Sequence, residues 1–361
     1  AGSGLVMLDE NYNIVGDLAE KWEISDEGRV ITFHLRPGAK FHDGTPLDAE
    51  AVKWNFDLIN GRVEPEWVKA EKRKNPKFKF DSSYNLYLYQ VKNVEVVDKH
   101  TVRLHQQDLG KGMTLPALAG YFTRMVFVSP TAYNRDHEKF KQMPVYSGPF
   151  KIVEYKHNQR VVMERFKDYY IKNRPYLDRI EILYLPDANQ RLNTLRAGEI
   201  DMIFSVPLGL VSTLEKTPGV KLHSGKTAVP LAASINNQRG PWKDVRVRMA
   251  LGCHGINREL IAKTALRGLT QPWATFAAPG ARDAIDLTGE CPYDPAKAKA
   301  LLAEAGFGPQ KPFKFAMVIQ NTSPLYLEVA QLMKTTYSEI GVEMDIQVLD
   351  RASWMNQFVF K

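Results

Sequence analysis

Apolar residues along the chain recur with two different periods, which predicts a mixture of strands and helices. In residues 30–35 every second side chain is apolar, and this alternation is typical of a strand with one buried face. Val52, Phe56 and Ile59 fall at the i, i+4 and i+7 positions of one helix face, and Asp48 is placed to cap that helix. The first part of the chain is therefore predicted to mix strands with a helix.

Further strands are predicted where apolar runs or alternation recur later in the chain. They cover residues 91–104 (as a hairpin), 151–155, 160–165, 180–185, 200–204 and 342–348. Asp187 begins a capping box, which predicts a helix directly before the strand at 200–204. This strand–helix–strand order predicts an α/β layer.

The last part of the chain contains several signals for the start of a helix. The helix after residue 244 is predicted to bury Val245 and Met249 on one face. Asn257 and Asp294 are placed to cap the next two helices. One more helix is predicted at about 325–340.

The length and composition are those of a globular protein with at least two lobes. The 361 residues exceed the roughly 250–300 at which a single hydrophobic core stops growing. With 44% apolar and 25% charged residues, the chain belongs to neither the disordered nor the fibrous class. A net charge of +7 is too small over this length to indicate nucleic-acid binding. The basic run at residues 69–79 is interpreted as a solvated loop, with a phosphate-binding patch as the alternative.

Cys253 and Cys291 are the two cysteines of the chain. Neither belongs to a CxxC pair, which disfavours a zinc site or a redox motif. A bridge between them can form in an oxidising compartment, but we expect free or buried thiols instead. The sequence contains neither a run of 18 apolar residues nor a signal peptide. Because Ala1 is not an initiator Met, we expect a segment of a longer polypeptide.

The chain lacks the sequence motifs of common enzyme classes. It contains no G-x-S-x-G, P-loop or H-E-x-x-H motif, and Gly110 and Gly112 lack the third glycine of a dinucleotide fingerprint. The eight histidines include no i, i+4 pair, and His254 is interpreted as a packed helical residue, not as a metal ligand. We therefore expect no catalytic residues, no metal and no cofactor.

Several blocks of sequence, taken in order, resemble one protein family. The longest is Asp17–Glu23 followed by Thr32–Leu47, which reads TFHLRPGAKFHDGTPL. The later blocks are Ser147–Phe150, Pro186–Asn189, Ala197–Asp201, Pro241–Leu251 and Tyr293–Gly306. Over essentially the whole chain they resemble the peptide/nickel-binding solute receptors of ABC transporters, often called family 5. One departure is Asn257 before Arg258, where the family usually has Asp; Asn keeps a capping oxygen.

The resemblance implies an α/β, periplasmic-binding-protein-like two-lobed fold (type II, cluster C), truncated at both ends. It implies a small β-rich domain at residues 1–135, a central α/β domain at 136–228 and an incomplete third lobe at 229–361. A small solute would be gripped by lobes that close about a hinge. The long first block is interpreted as mainly structural, with Gly38 and Gly44 in turns.

Three aromatic and basic residues of the first domain are candidates for contact with the solute. Arg124 presents a guanidinium fork that fits a carboxylate, and its alternative is a surface ion pair. Tyr84 and Tyr87 are candidates for a wall of the cleft, and their alternative is an aromatic row on a sheet face.

Three further candidates lie between residues 234 and 273. Ser234 and Asn236 belong to a segment, residues 232–236, that resembles the hinge-crossing strand of the family and would lie against the cleft. Trp273 follows Gln271-Pro272 and would lie near the opening of the lobes, or else anchor a loop.

The function implied by the resemblance is that of a non-enzymatic, extracytoplasmic receptor that delivers a small solute, foremost a peptide, to an ABC permease. Alternative solutes are a nickel chelate, an opine or a glycoside. The ligand-sensing domain of a transcription regulator is a second alternative and requires a DNA-binding segment before Ala1; a hydrolytic enzyme is a third. We expect a monomer that binds no nucleic acid and resides in the periplasm or outside the cell on a membrane anchor.

Overall fold

The computed structural model describes residues 2–9, 13–77, 91–106, 125–204, 206–223, 225, 231–275 and 284–358. The chain divides into two compact units, Ala1–Pro186 and Asp187–Lys361, called unit 1 and unit 2 below. The division into three domains predicted from the sequence stays a prediction.

Among its described residues, unit 1 contains three antiparallel sheets and four α-helices. Its strands are β1 (Val6–Leu8), β2 (Ile14–Gly16), β3 (Ala19–Ser25), β4 (Val30–Leu35), β5 (Val91–Asp98), β6 (Thr101–Gln106), β7 (Phe150–Lys156), β8 (Arg160–Arg165) and β9 (Arg179–Leu183). Its helices are α1 (Ala49–Ile59), α2 (Glu66–Lys74), α3 (Pro130–Arg135) and α4 (His137–Gln142). The strand orders are β1-β2, β3-β4-β6-β5 and β7-β8-β9.

The core of unit 1 lies between the four-stranded sheet and α1. Phe33 of β4 is opposite Val102 of β6, and both side chains are fully buried. Val52 and Phe56 on the inner face of α1 are also fully buried in the same cluster. The helix begins as the sequence predicts, because the Asp48 carboxylate accepts a hydrogen bond from the Ala51 N–H at 3.2 Å. The predicted strand at 30–35 and the hairpin at 91–104 are confirmed.

Unit 2 contains a two-stranded parallel sheet, seven α-helices and one π-helical segment among its described residues. The strands are β10 (Phe313–Gln320) and β11 (Val342–Leu349). The α-helices are α5 (Ala188–Arg196), α6 (Val211–Glu215), α7 (Val245–Arg248), α8 (Arg258–Thr264), α9 (Pro295–Glu304), α10 (Pro324–Glu339) and α11 (Arg351–Phe358), and the π-helix covers Met249–His254.

The core of unit 2 forms where α10 crosses between the two parallel strands. Phe313 of β10, Met344 of β11 and Tyr337 of α10 are each at most 3% exposed. The Trp242 ring meets the Phe313 ring edge-on, with centroids 5.0 Å apart. The α10 and β11 segments confirm the helix and the strand predicted at about 325–340 and 342–348.

Two strands predicted in unit 2 are not seen among the described residues. Residues 200–204 and 232–236 have irregular or bent backbone and pair with no described strand. Met202 and Phe204 are 65% and 76% exposed. An alternating pattern creates a strand only when a neighbouring strand completes the hydrogen-bond ladder, and no described strand pairs with either segment.

The predicted buried face of the helix after residue 244 is also wrong. Val245 and Met249 are 56% and 40% exposed, whereas Val247, Ala250 and Leu251 are buried. The opposite face belongs to the core cluster of unit 2 and packs against α9, which leaves the face with Val245 and Met249 exposed.

The basic run that we interpreted as a loop is largely helical. Residues 69–74 belong to α2, where Lys69 pairs with Glu66 at 2.6 Å and Lys74 with Glu71 at 2.7 Å. These i, i+3 ion pairs are exposed, so this part of the run is solvated as expected. Exposed pairs of this kind contribute little to stability.

Cys253 and Cys291 form a disulfide, which corrects the expectation of free thiols. Cys253 lies in the π-helix and Cys291 ends a turn that begins at Leu287. Folding brings their Cα atoms to 4.6 Å, within the range that a bridge requires. A separation of 38 residues in sequence carries no information about that distance. No helix of the described residues combines the length and apolarity that crossing a bilayer requires.

Candidate functional site

The first family-like block forms a polar junction inside unit 1. Gly38 and Gly44 have φ of +75° and +84°, so both turns need glycine as the sequence predicts. The Asp43 carboxylate accepts hydrogen bonds from the Thr45 hydroxyl at 2.6 Å and the Ser129 hydroxyl at 2.7 Å. Burial raises the pKa of Asp43, but these hydrogen bonds outweigh it, so the pKa lies below its ordinary value. All these contacts join parts of unit 1, in agreement with a structural role.

His42 docks the same block onto the segment before β7. Its backbone N–H donates to the Tyr146 carbonyl at 2.8 Å, and its ring Nε2 lies 2.9 Å from the Gly148 carbonyl oxygen. Because a carbonyl only accepts, Nε2 must carry the proton in this contact. Burial lowers the pKa of His42, so the ring is held neutral. His42 therefore locks two family-like blocks together.

A second buried polar group in unit 1 is centred on Asp17. Its carboxylate accepts from the Gly4 N–H at 2.9 Å and from the Tyr170 hydroxyl, while Arg36 Nε donates to the Asp17 carbonyl at 2.7 Å. Burial raises the pKa of Asp17 and also that of the Tyr170 hydroxyl. These contacts tie the first residues of the chain to the loop before β9. Asp17 is only 8% exposed, so this polar group is shielded from solutes.

Unit 2 has a cluster of backbone carbonyls at the end of the π-helix. The Arg258 guanidinium donates to the Cys253 carbonyl at 3.1 Å, to the Cys291 carbonyl at 3.3 Å and to the Gly252 carbonyl. The Tyr337 hydroxyl donates to the Leu251 carbonyl at 3.2 Å. A π-helix end leaves carbonyls without helical partners, and these two side chains satisfy them. Both residues of the Asn257-Arg258 pair in the family-like pattern therefore have a structural role. The Asn257 side chain caps α8 by accepting a hydrogen bond from the Leu260 N–H at 2.9 Å, and the Arg258 side chain binds the carbonyls named above.

The sequence-predicted site residues are only partly covered by the structure. Arg124, Tyr84 and Tyr87 lie outside the described residues. Ser234 and Asn236 are exposed and lie on one segment of unit 2 without regular secondary structure. Their assignment to a solute site stays a prediction.

The remaining candidates have distinct surroundings within unit 2. The Asn236 side chain accepts a hydrogen bond from the Gln238 N–H at 3.1 Å, which forms a local turn. Trp273 is half-buried on the segment that follows α8. A half-buried indole is compatible with both roles suggested for Trp273, that of a loop anchor and that of a partly open contact surface.

An open cavity of about 540 Å³ lies between α5 and the end of α6, where sequence reasoning placed no site. It is lined by Arg196, Ser212, Thr213, Lys216, Thr217 and Pro218. Arg196 donates to the Thr217 hydroxyl at 3.3 Å. No local sequence pattern predicts this cavity, because its two cations, Arg196 and Lys216, lie at the ends of different helices. Among the described residues, no group of three or more His, Cys, Asp and Glu side chains is placed to hold a metal ion.

Comparisons with known proteins give a consistent result. A family model described as "Bacterial extracellular solute-binding proteins, family 5 Middle" matches residues 13–360. The glutathione-binding protein GsiB of Pectobacterium atrosepticum is 28% identical over 351 residues, which are 96% of this chain and 63% of that protein. Heme-binding protein A of Haemophilus influenzae is 31% identical over 342 residues, which are 90% of this chain and 60% of that protein. The chain thus spans about 63% or less of the length of these relatives.

Solved structures of binding proteins share the fold. AgaA of A. tumefaciens R10, in complex with agropinic acid, aligns with a TM-score of 0.77 and 26% identity, covering 99% of this chain and 68% of that one. DppA of Helicobacter pylori, in complex with the peptide STSA, aligns with a TM-score of 0.74 and 25% identity, covering 99% and 69%. The expected mixed α/β fold of periplasmic binding proteins is confirmed by these alignments.

Proposed function

Because the chain belongs to family 5 of the bacterial extracellular solute-binding proteins, we propose that it captures a small solute outside the cytoplasm and delivers it to the permease of an ABC importer. The observation that carries this proposal is the match of the family model over residues 13–360. The alignments with AgaA and DppA support it, since the titles of both structures name a bound small solute.

The solute class that we propose is a short or modified peptide. GsiB is named for glutathione and DppA was solved with a tetrapeptide, and both are among the relatives at 25% identity or more. Peptide backbones offer hydrogen-bond donors and acceptors that are independent of side-chain identity, so one site can accept many sequences. An opine or a heme-like solute is the alternative, since AgaA and heme-binding protein A are similarly related.

The proposed mechanism is closure of two lobes on the solute. A solute that contacts both lobes only in the closed form shifts the population towards that form, by no more than its difference in affinity for the two forms. In this proposal Arg124 binds the solute carboxylate, Tyr84, Tyr87 and Trp273 line the cleft, and Ser234 and Asn236 present hydrogen-bonding groups. No bond is made or broken, so the protein acts as a receptor and not as an enzyme.

The disulfide supports a location outside the cytoplasm. Disulfides persist in the periplasm and on cell surfaces, whereas cytoplasmic proteins keep their thiols reduced. The Cys253–Cys291 bridge therefore favours the transport receptor over the sensor domain of a cytoplasmic DNA-binding regulator.

A thermal-shift screen tests the proposal. The protein is heated with a pool of di- to pentapeptides, glutathione, agropinic acid and nickel–histidine, with tryptophan fluorescence as a second signal. A solute at about 100 times its Kd stabilises the folded state by about 2.7 kcal/mol, which moves the unfolding temperature by several degrees. We expect this shift with at least one peptide.

A matched pair of variants tests the site. Arg124→Gln should weaken binding of a peptide with a free carboxylate and leave the amidated peptide unaffected, because only the former offers the guanidinium its partner. Arg135→Gln, at the end of α3, is the control and should leave both affinities unchanged. A flat response to every peptide would exclude the proposed solute class.

A further inference from the structure

The two sulfurs of the disulfide differ in their surroundings. Cys253 is 3% exposed and stands between the buried Leu251 and His254 in the π-helix. Cys291 is half-buried at the end of the turn that begins at Leu287. An attacking thiolate needs access to one sulfur of the bridge. The side of the bridge that is more open to solvent is therefore that of Cys291.

The contacts around Cys291 differ before and after it in sequence. After it, the Pro292 carbonyl lies 3.1 Å from His254 Nδ1, and the Asp294 N–H donates to the His254 carbonyl at 2.9 Å. Asp294 also caps α9 through the Lys297 N–H at 2.9 Å. The chain after Cys291 is therefore anchored to the buried His254 and to a helix by several hydrogen bonds.

Within residues 286–291 the backbone hydrogen bonds are local, and just before this turn the Thr275 hydroxyl donates to the Ile285 carbonyl at 3.0 Å. The Glu290 and Cys291 N–H groups donate to the Leu287 carbonyl at 3.0 and 3.1 Å, and the Thr288 N–H donates to the Asp286 carboxylate at 2.9 Å. The disulfide and the bond from Arg258 to the Cys291 carbonyl tie this turn to the π-helix. A turn held in this way depends on its covalent link for its position.

From this asymmetry we propose that the Cys253–Cys291 disulfide is a redox latch, opened by thiol–disulfide exchange at the Cys291 sulfur, which releases the turn at residues 286–291 and leaves the core of unit 2 folded. The segment between the two cysteines includes α8 and Trp273. The bridge therefore closes a covalent loop that contains α8 and Trp273. This inference does not depend on the identity of the solute.

The exchange balances with a dithiol as the reductant. One thiolate of the dithiol attacks Cys291 Sγ, the S–S bond breaks, and Cys253 leaves as a thiolate that takes up a proton. The second thiol of the reductant attacks the mixed disulfide, Cys291 leaves as a thiolate that is protonated, and the reductant ends as a disulfide. Cys253 Sγ lies 3.7 Å from the Glu290 carbonyl oxygen while the bridge is closed, and the same exchange run in reverse, with a disulfide as the oxidant, closes the bridge again.

Two single variants test which sulfur is accessible. In Cys253→Ser the remaining Cys291 thiol should react with Ellman's reagent about tenfold or more faster than the remaining Cys253 thiol does in Cys291→Ser, because thiol reactivity follows access. Circular dichroism checks that both variants are folded. Equal rates, or a faster Cys253 thiol, would overturn the assignment of Cys291 as the point of attack.

Hydrogen exchange on the unmodified chain, with and without dithiothreitol, tests the release. We expect the Glu290 and Cys291 amides to lose protection, while the Asp294 amide and the amides of β10 and β11 keep theirs. The double variant Cys253→Ser/Cys291→Ser is the control and should not respond to dithiothreitol. A bridge that resists the reagent, an unchanged exchange pattern after reduction, or loss of protection throughout β10 and β11 would each overturn the latch.

Discussion

The Arg258 side chain allows a quantitative test of how unit 2 is held together. Arg258→Met keeps most of the aliphatic stem and removes the guanidinium that serves the carbonyls of Gly252, Cys253 and Cys291. Leaving a buried acceptor without a donor costs about 1–3 kcal/mol. Because Arg258 is only half-buried, we expect the cost for each of the three carbonyls to lie towards the lower end of that range. We therefore expect the free energy of unfolding of unit 2 to fall by about 3–5 kcal/mol.

Urea titration followed by far-UV circular dichroism measures this loss, with Trp242 fluorescence reporting the core of unit 2. The matched control is Arg267→Met, which removes an exposed guanidinium that pairs with Glu328 at 2.9 Å. Exposed pairs contribute little, so the control should lose less than about 1 kcal/mol. If Arg258→Met were as mild as its control, the carbonyl cluster would not depend on Arg258 and the argument would be refuted.

Three further outcomes follow from buried groups. Burial lowers the pKa of His42, so its neutral form contributes stability above its ordinary pKa of about 6.5, and this stability is lost as the pH falls through the folded pKa. His42→Gln should therefore flatten the acid side of the curve of unfolding free energy against pH. An unchanged curve would contradict this. Gly255→Ala brings a Cβ to 2.8 Å from a backbone oxygen and should cost about 1–3 kcal/mol, whereas Gly252→Ala meets nothing within 4 Å and should be nearly neutral in the same urea titration. Phe33→Ala empties a fully buried site and should cost about 3–5 kcal/mol in unit 1, against less than about 1 kcal/mol for the 47% exposed Ile24→Ala, and equal losses would contradict the packing argument.

The candidate solute site was only partly accessible to sequence reasoning. The resemblance of the Asp17–Glu23 and Thr32–Leu47 blocks pointed to the family, and the family model confirms it. The same blocks turn out to form internal junctions, because His42 binds the Gly148 carbonyl of another block and the Asp17 carboxylate binds Gly4 and Tyr170. A strong motif therefore identified the fold without locating a solute.

Local features of the chain could be read from the sequence by itself. The caps at Asp48, Asn257 and Asp294 all form as predicted, each through an N–H group three residues later. The alternation at 30–35 marks β4 in the same way. These predictions succeed because the partners lie within a few residues, so the chain needs no further information to bring them together.

Only the tertiary structure decided the features that join distant residues. The disulfide links positions 38 residues apart, and Arg258 reaches the Cys291 carbonyl 33 residues away. The predicted strand at 200–204 pairs with no strand of the described residues, and its own alternation cannot supply such a partner. Val245 and Met249 are exposed because packing against the neighbouring α9, and not the apolar spacing of one helix, determines which face is covered.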